Sequence, residues 1–177
     1  MYAVSRADGV SLQALRDEIT AVPLERIPDN SGAARGENAQ EGWIHGLEMT
    51  RLYGPGYDDV LNSFPMITHA IAIFANQREQ EIHQVMVNKL NPHSFLGKHR
   101  DGPPQMDRWH LPVITNPLCE WYDEIDGWCH MEEGKWHGPV NYCGILHAMH
   151  NDGDNARYHL VLDLVPLATE TSSEISK

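Results

Sequence analysis

The strongest constraint on the fold is a change of pattern at residue 80, after which apolar and polar residues alternate with the period of two typical of β-strands. In the segment 81–90, even-numbered positions form one face and odd-numbered positions form the other. Similar short segments follow, separated by Gly, Pro, Asn and Asp, which favour turns. The predicted turns include Asn91-Pro92 and a hairpin turn at 151–155. The further predicted strands cover 108–115, 119–125, 127–131, 144–150 and 157–165.

The N-terminal part has a helical pattern instead. Leu12, Leu15, Ile19 and Val22 form one stripe, which predicts a helix over 11–22 with Ser11 as its N-cap. A strand is predicted over 43–52. The segment 67–76 is compatible with a strand or a helix, and its pattern favours a second helix. The whole pattern predicts a mainly β, cupin-like jelly roll with N-terminal helical support. We expect a single domain 1–177, comprising a support region 1–79, a catalytic core 80–166 and a polar tail 167–177.

Charge and cysteine content exclude several classes of function. The 177 residues include 25 acidic and 13 basic side chains, for a net charge of -12, so the overall field does not favour nucleic acid or anionic membrane. No apolar run is long enough to span a bilayer, and the N-terminus lacks the apolar core of a signal peptide. Three cysteines without a CxxC pair indicate free thiols and a cytoplasmic protein.

The sequence His99-Arg100-Asp101 is the first candidate metal site. A histidine and a carboxylate two residues apart leave one face of a strand together, so both can reach one ion. Either His147 or His150 can supply a further ligand, but they are three residues apart and face opposite sides of a regular strand. Two histidines and one carboxylate with open positions are the ligand set of non-haem Fe(II) oxygenases.

Arg157 begins the last predicted strand, and its guanidinium suits bidentate binding of a carboxylate. This favours a dicarboxylate ligand near the metal, although a salt bridge to Asp154 or Asp163 is the alternative. Arg108 and His110 share one strand face and can add donors to the same ligand, or they can form an ordinary polar face.

Three segments, 96–101, 108–116 and 147–157, together with the apolar run 160–164, resemble the aspartyl/asparaginyl β-hydroxylase family of Fe(II)/2-oxoglutarate dioxygenases. Small bacterial proline hydroxylases carry similar motifs. The resemblance implies a double-stranded β-helix, which is another name for this jelly roll. It places the histidine ligands at His99 and His147, the arginine that binds the distal carboxylate of 2-oxoglutarate at Arg157, and further co-substrate contacts at Arg108 and His110.

Asp101 departs from one branch of that family. The animal aspartyl hydroxylases lack the carboxylate ligand, whereas this chain has Asp101 at that place and so a full triad of His99, Asp101 and His147.

The function that the resemblance implies uses Fe(II), 2-oxoglutarate and O2. We expect hydroxylation of an unactivated C–H bond in an amino acid or a peptidyl Asp, Asn or Pro, with succinate and CO2 as co-products. The partner is then a small-molecule or peptide substrate, with no nucleic acid and no membrane. A non-catalytic cupin-like module that binds metal or a small molecule is the alternative, and a zinc hydrolase with the same ligands is a third. Four tryptophans can line the substrate pocket or pack in the core: Trp109, Trp121, Trp128 and Trp136.

Overall fold

The computed structural model describes residues 3–7, 9–29, 44–56, 59–100, 106–140 and 145–167. Helices α1 (Leu12–Ala21) and α2 (Pro65–Arg78) accompany a short 3-10 turn at Leu61–Ser63. Within these residues there are ten strands: β1 (Ala3–Arg6), β2 (Glu25–Arg26), β3 (Ile44–Tyr53), β4 (Gln80–His99), β5 (Asp107–Ile114), β6 (Cys119–Asp123), β7 (Gly127–Cys129), β8 (Lys135–Gly138), β9 (His147–Asn151) and β10 (Arg157–Pro166).

All strands belong to one curled antiparallel sheet with the order β1-β8-β5-β10-β4-β9-β6-β7, and β3 joins it by pairing with β4 and β2. The mainly β jelly roll predicted from the sequence is confirmed. The N-terminal region supplies three strands to this sheet as well as both helices, and its boundary at residue 79 stays a prediction.

Strand β4 is twenty residues long and runs through the predicted turn at Asn91-Pro92, so that prediction is wrong. Residues 80–90 pair with β10 and residues 94–99 pair with β9, and the strand changes partner where His93 has a φ of 52°. A residue of β9 stabilises β4 at this change of partner, because the side-chain amide of Asn151 donates to the carbonyls of Leu90 (3.2 Å) and Asn91 (3.0 Å).

The hairpin predicted at 151–155 is also wrong, because the strands on its two sides do not pair with each other. Strands β9 and β10 both run antiparallel to β4, with His147 opposite His99 and Arg157 opposite Leu90. The chain makes a short detour and continues along β4 in the same direction. As a result, the two residues that the sequence singles out on β9 and β10 line up along a single partner strand.

Helix α1 forms where the apolar stripe predicted it. The Ser11 hydroxyl accepts a hydrogen bond from the Ala14 N–H (3.3 Å), which caps the helix, and Leu15 and Ile19 are buried. Helix α2 begins at Pro65, which needs no N–H partner at this position. The Glu18 carboxylate of α1 accepts from the next two N–H groups of α2 at 2.8–3.0 Å, so the two helices are joined at this helix N-terminus.

The main core lies between the two helices and the outer face of the sheet. Phe74 of α2 stacks on Trp136 at 4.4 Å between ring centroids and meets Trp109 edge-on at 4.9 Å. Two of the four candidate pocket tryptophans are therefore core residues. Trp121 is buried in a second, smaller hydrophobic cluster with Leu90 and Met149, and Trp128 is 48% exposed.

Truncating Phe74 to alanine tests the importance of this core. Because Phe74 is buried between two tryptophans, we expect Phe74→Ala to lower the free energy of unfolding by about 3–5 kcal/mol. Urea unfolding followed by tryptophan fluorescence measures the change. Ile125, which is 70% exposed, provides the control, since Ile125→Ala should change stability by less than about 0.5 kcal/mol. Similar values for the two variants would contradict this assignment of the core.

Cys119 and Cys129 are free thiols, as predicted, and Cys143 lies outside the described residues. Within the described ranges, neither helix has the length and apolar character needed to cross a bilayer. The cytoplasmic location stays a prediction.

Candidate functional site

His99 and His147 face each other on the inner side of the sheet. They are direct partners in the register of β4 and β9, and their ring centroids lie 4.1 Å apart. His147 is buried and His99 is half-buried. Cross-strand partners bring their side chains to the same face, so the register of these two strands alone is enough to form this pair.

Both rings are oriented by hydrogen bonds to the backbone. Nδ1 of His99 lies 2.8 Å from the carbonyl of Gly97, and Nδ1 of His147 lies 3.0 Å from the carbonyl of Ile145. A carbonyl oxygen only accepts, so Nδ1 carries the proton in each ring. In the neutral imidazole, Nε2 then holds the lone pair that can bind a metal. This is the arrangement that orients histidine ligands in metal sites.

His150, the alternative ligand, lies on the opposite face of β9. Its Nε2 is 3.2 Å from the Glu120 carboxylate and its Nδ1 is 3.1 Å from the Asp152 carboxylate. Its ring meets the exposed Trp128 edge-on at 4.5 Å. The geometry therefore separates it from the pair formed by His99 and His147.

Asp101, the predicted carboxylate ligand, lies outside the described residues. Within the part of the chain that the structure describes, no group of three His, Cys, Asp or Glu side chains is arranged to hold a metal ion. The roles of His99, Asp101 and His147 as a metal triad therefore stay predictions.

Strand β6 adds two side chains near His147: Trp121, a candidate pocket residue from the sequence, and Asp123, which the sequence analysis did not assign to the site. Trp121 stacks on the ring of His147, with centroids 5.2 Å apart and planes 14° apart. Asp123 is fully buried and lies opposite His147 in the strand register. One oxygen of its carboxylate accepts from the N–H groups of Ile125 (2.8 Å) and Asp126 (2.7 Å). An aspartate at the start of a turn is the sequence signal for this bond, although it does not reveal the nearby histidine.

Arg157 is buried at the start of β10, with only 2% of its surface exposed. One terminal nitrogen, Nη1, lies 2.9 Å from the sulfur of Met149, and the other, Nη2, lies 2.5 Å from Nδ1 of His159. Met149 is two residues from His147 on the same face of β9 and pairs with Trp121. The arginine is thus connected to the histidine pair through one layer of inward-facing side chains.

His110 and His159 form a second histidine pair beside Arg157. Their Nδ1 atoms are 3.2 Å apart, and both side chains are buried. Burial lowers the pKa of each well below the ordinary value of 6.5, and the positive charge of Arg157 lowers it further. His110 was predicted from the sequence. His159 was missed, although its position two residues after Arg157 on a strand places it on the same face.

Arg108 is not brought next to Arg157. Its guanidinium forms a two-point ion pair with the fully buried Asp163, with Nε at 2.5 Å and Nη2 at 2.8 Å from the two carboxylate oxygens. Asp163 is six residues beyond Arg157 on β10, roughly 20 Å along a strand. The salt bridge considered for Arg157 is therefore made by Arg108, and the predicted contact of Arg108 with the co-substrate stays a prediction.

The cavities agree with this division. A small cavity of about 10 Å³ borders Arg157 and His159 and is also lined by Thr115, Cys119 and Trp121. A larger hollow of about 380 Å³ lies beside Arg78, Asp107 and Pro166, which places it near the end of β10 that is remote from Arg157. Of these two cavities, only the smaller one is bordered by the buried Arg157 and by an inward-facing histidine, His159.

The two low histidine pKa values predict an acid-sensitive fold. Between the lowered folded-state pKa and about pH 6.5, the unfolded chain binds protons at these histidines and the folded chain does not, so stability falls as the pH falls. We expect the free energy of unfolding to fall by roughly 3 kcal/mol between pH 7.5 and pH 5.5 through His110 and His159 together. Urea unfolding at the two pH values measures this, and His159→Leu should remove about half of the loss. An unchanged stability at pH 5.5 would contradict the buried neutral state of the pair.

The sequence profile of the aspartyl/asparaginyl β-hydroxylase family matches residues 10–166. A search of curated proteins finds no significant match.

Solved structures with a similar fold include three hydroxylases or oxygenases. One is a viral collagen prolyl hydroxylase from Paramecium bursaria Chlorella virus-1 in complex with 2-oxoglutarate (TM-score 0.55, 14% identity, 93% of this chain and 95% of that chain). Another is a 2-oxoglutarate-Fe(II) oxygenase-family oxidoreductase from Burkholderia pseudomallei (TM-score 0.58, 14% identity, 87% and 77%). The third is a prolyl hydroxylase from Trichoplax adhaerens with a peptide fragment of hypoxia inducible factor (TM-score 0.58, 9% identity, 93% and 83%).

At these identities the structural similarity establishes the fold, and the profile match over most of the chain establishes the family. This chain belongs to the aspartyl/asparaginyl β-hydroxylase family.

Proposed function

We propose that this protein is an Fe(II)- and 2-oxoglutarate-dependent dioxygenase that hydroxylates an unactivated C–H bond of an amino acid or of a peptidyl Asp, Asn or Pro. The observation that carries the proposal is the pair His99 and His147, whose Nδ1–H groups both donate to backbone carbonyls and whose rings lie 4.1 Å apart. Two imidazoles presented in this way by neighbouring strands fit an Fe(II) site.

The residues present suit the ion in type as well as in position. Imidazole nitrogen and carboxylate oxygen are ligands of non-haem Fe(II), and Asp101, two residues after His99, is the carboxylate we propose for the third position. Trp121, stacked on His147, holds that ring in place and covers it from water. When bound, Fe(II) with 2-oxoglutarate and O2 supplies the oxidative decarboxylation that yields succinate and CO2 and drives hydroxylation.

Arg157 is the proposed anchor for 2-oxoglutarate. A buried guanidinium binds a carboxylate strongly, because water does not compete and the planar fork matches the two oxygens. The position of Arg157 behind Met149 and Trp121 suits it to the carboxylate distal from the iron. The half-buried His99 lies on the more open side, where a substrate can approach.

The proposed substrate is a free amino acid or an amino acid residue within a peptide. Two fold relatives are prolyl hydroxylases, and one of them was solved with a peptide, which supports a peptidyl substrate. A free amino acid fits the same chemistry, and no described residue selects between the two.

One experiment tests the proposed reaction against a non-catalytic binding module and a zinc hydrolase. Purified protein is supplied with Fe(II), 2-oxoglutarate and ascorbate, and both succinate formation and O2 uptake are measured, with and without candidate amino acids and peptides. We expect one succinate to form for each O2 consumed, and both rates should rise when the correct substrate is added. If the protein binds iron but forms no succinate under any condition, it is a non-catalytic binding module. Hydrolysis of a substrate in the absence of O2 would favour the zinc hydrolase.

The carboxylate ligand can be tested with two matched variants. Asp101→Asn should weaken Fe(II) binding, because an amide is a poorer ligand than a carboxylate. Asp123→Asn should retain the metal, since the amide oxygen can still accept from Ile125 and Asp126. Anaerobic calorimetry with Fe(II) measures both affinities. The opposite ranking would assign the third position to Asp123.

A further inference from the structure

We propose that His159 is a positioning residue of the 2-oxoglutarate site, which holds the Arg157 guanidinium in the orientation that receives the distal carboxylate. This inference rests on the proposed function and assigns a role to a residue outside the predicted ligand and co-substrate set. Both side chains are buried on one face of β10, and Nη2 of Arg157 lies 2.5 Å from Nδ1 of His159.

The direction of this hydrogen bond follows from the donor chemistry. A guanidinium has five N–H donors and no acceptor, so Nδ1 of His159 has to accept. The histidine is therefore neutral, with its proton on Nε2. A protonated ring would point an N–H at the guanidinium and break the contact.

The surroundings of His159 keep it in that state. Burial opposes the imidazolium and holds the pKa far below its ordinary value, and the positive charge of Arg157 acts in the same direction. Three further histidines add smaller effects of the same sign, namely His110, His137 and His130. His159 thus remains a hydrogen-bond acceptor through the neutral pH range.

His110 completes the arrangement from the neighbouring strand. Its Nδ1 lies 3.2 Å from the same Nδ1 of His159, which already accepts from Arg157. His110 is then the donor in this contact and shares the single lone pair of that nitrogen with Arg157, so the lone pair of His110 itself is on Nε2. On the other side, the sulfur of Met149 lies 2.9 Å from Nη1 of Arg157. The arginine is therefore held at both terminal nitrogens by neutral groups.

Holding the arginine in advance has a direct consequence for binding. A long side chain that is already fixed does not lose its conformational freedom when the ligand arrives. A neutral histidine beside the guanidinium does not compete with an incoming anion in the way that a carboxylate at this place would. We therefore expect His159 to act on the affinity for 2-oxoglutarate and to have little effect on the rate at saturation.

The test compares two substitutions at this position. His159→Leu keeps the bulk and removes the acceptor, so it should weaken 2-oxoglutarate binding roughly tenfold, with kcat at saturation within about threefold of wild type. His159→Asn places an amide oxygen where Nδ1 was and should restore most of the affinity. Dissociation constants are measured by anaerobic calorimetry on the Fe(II)-loaded protein and on Mn(II)-substituted protein, so binding is read independently of turnover.

A third substitution separates positioning from general stability. His137 is buried on β8, which pairs with β5 and not with β10, and Nε2 of its ring is 3.1 Å from the Glu132 carbonyl. His137→Leu should lower the urea midpoint and leave the affinity for 2-oxoglutarate unchanged. Affinity in the wild type should also stay level from pH 8 to pH 6, because His159 does not titrate there.

Several results would overturn the role of His159. Unchanged affinity in His159→Leu, or equally weak binding by the Leu and Asn variants, would remove it from the site. Affinity that rises on acidification would mean that an imidazolium binds the anion directly. Failure of the wild-type protein to bind 2-oxoglutarate would instead overturn the proposed function, and is thereby distinguished from failure of the His159 variants alone.

Discussion

Replacing His99 or His147 with alanine is expected to abolish Fe(II) binding and all iron-dependent turnover. Each change removes one of the two imidazoles whose Nδ1–H groups donate to Gly97 and Ile145. Loss of a group that merely orients a ligand typically costs 10- to 100-fold in metal affinity, so loss of the ligand itself should cost at least about 100-fold. Anaerobic calorimetry and metal analysis after gel filtration measure the bound iron, and succinate formation measures the turnover.

The matched control for this prediction is on the same strand. His150 is three residues from His147 but faces Glu120 and Asp152 on the other side of β9, so His150→Ala should retain iron. Because His147 also packs on Trp121, His147→Gln serves as a second variant that keeps more of the side-chain volume. Loss of iron in His150→Ala, with retention in His147→Ala, would reverse the ligand assignment.

Replacing Arg157 with alanine is expected to raise the concentration of 2-oxoglutarate needed for half-maximal turnover by roughly 100-fold. Removing one partner of a buried, hydrogen-bonded charge pair costs about 2–5 kcal/mol, and each 1.4 kcal/mol corresponds to a factor of ten. Arg157→Lys should fall between wild type and Arg157→Ala, because it keeps the charge but not the two-point geometry. Initial rates at varied 2-oxoglutarate give the values, and metal analysis should show that Fe(II) is retained.

Arg26 is the control for removal of an arginine. It is exposed on β2 and pairs with Asp29 at 3.0 Å, so Arg26→Ala should leave the 2-oxoglutarate requirement unchanged. An equal requirement in wild type and Arg157→Ala would remove Arg157 from the co-substrate site. Arg108 would then become the stronger candidate, although its ion pair with Asp163 would first have to open.

The local elements were predictable because their information lies within a few neighbouring residues. The apolar stripe of α1 and the cap at Ser11 are formed by residues one or two turns apart, and the structure confirms both. The alternation of β4 likewise revealed which positions share a face. The turn at Asn91-Pro92 failed for the opposite reason, because carbonyls that local sequence leaves without partners are bonded by Asn151, some sixty residues away.

In the candidate site, too, local sequence was informative about some features and distant contacts decided others. The sequence by itself determined which residue types are available, since His99, Asp101, His147 and Arg157 lie in segments that resemble the family and within the range 10–166 that the family profile matches. Motifs of this kind depend on short spacings along strands, which decide the face on which each side chain lies.

Only the tertiary structure decided which residues meet. The register of β4 against β9 places His99 opposite His147, and the inner face of β10 brings His159 to Arg157 and His110. In the same fold, Arg108 forms an ion pair with Asp163 and does not lie next to Arg157. Strand alternation specifies a face but not a partner, because pairing and register are chosen by contacts between distant segments and by the burial that these contacts create.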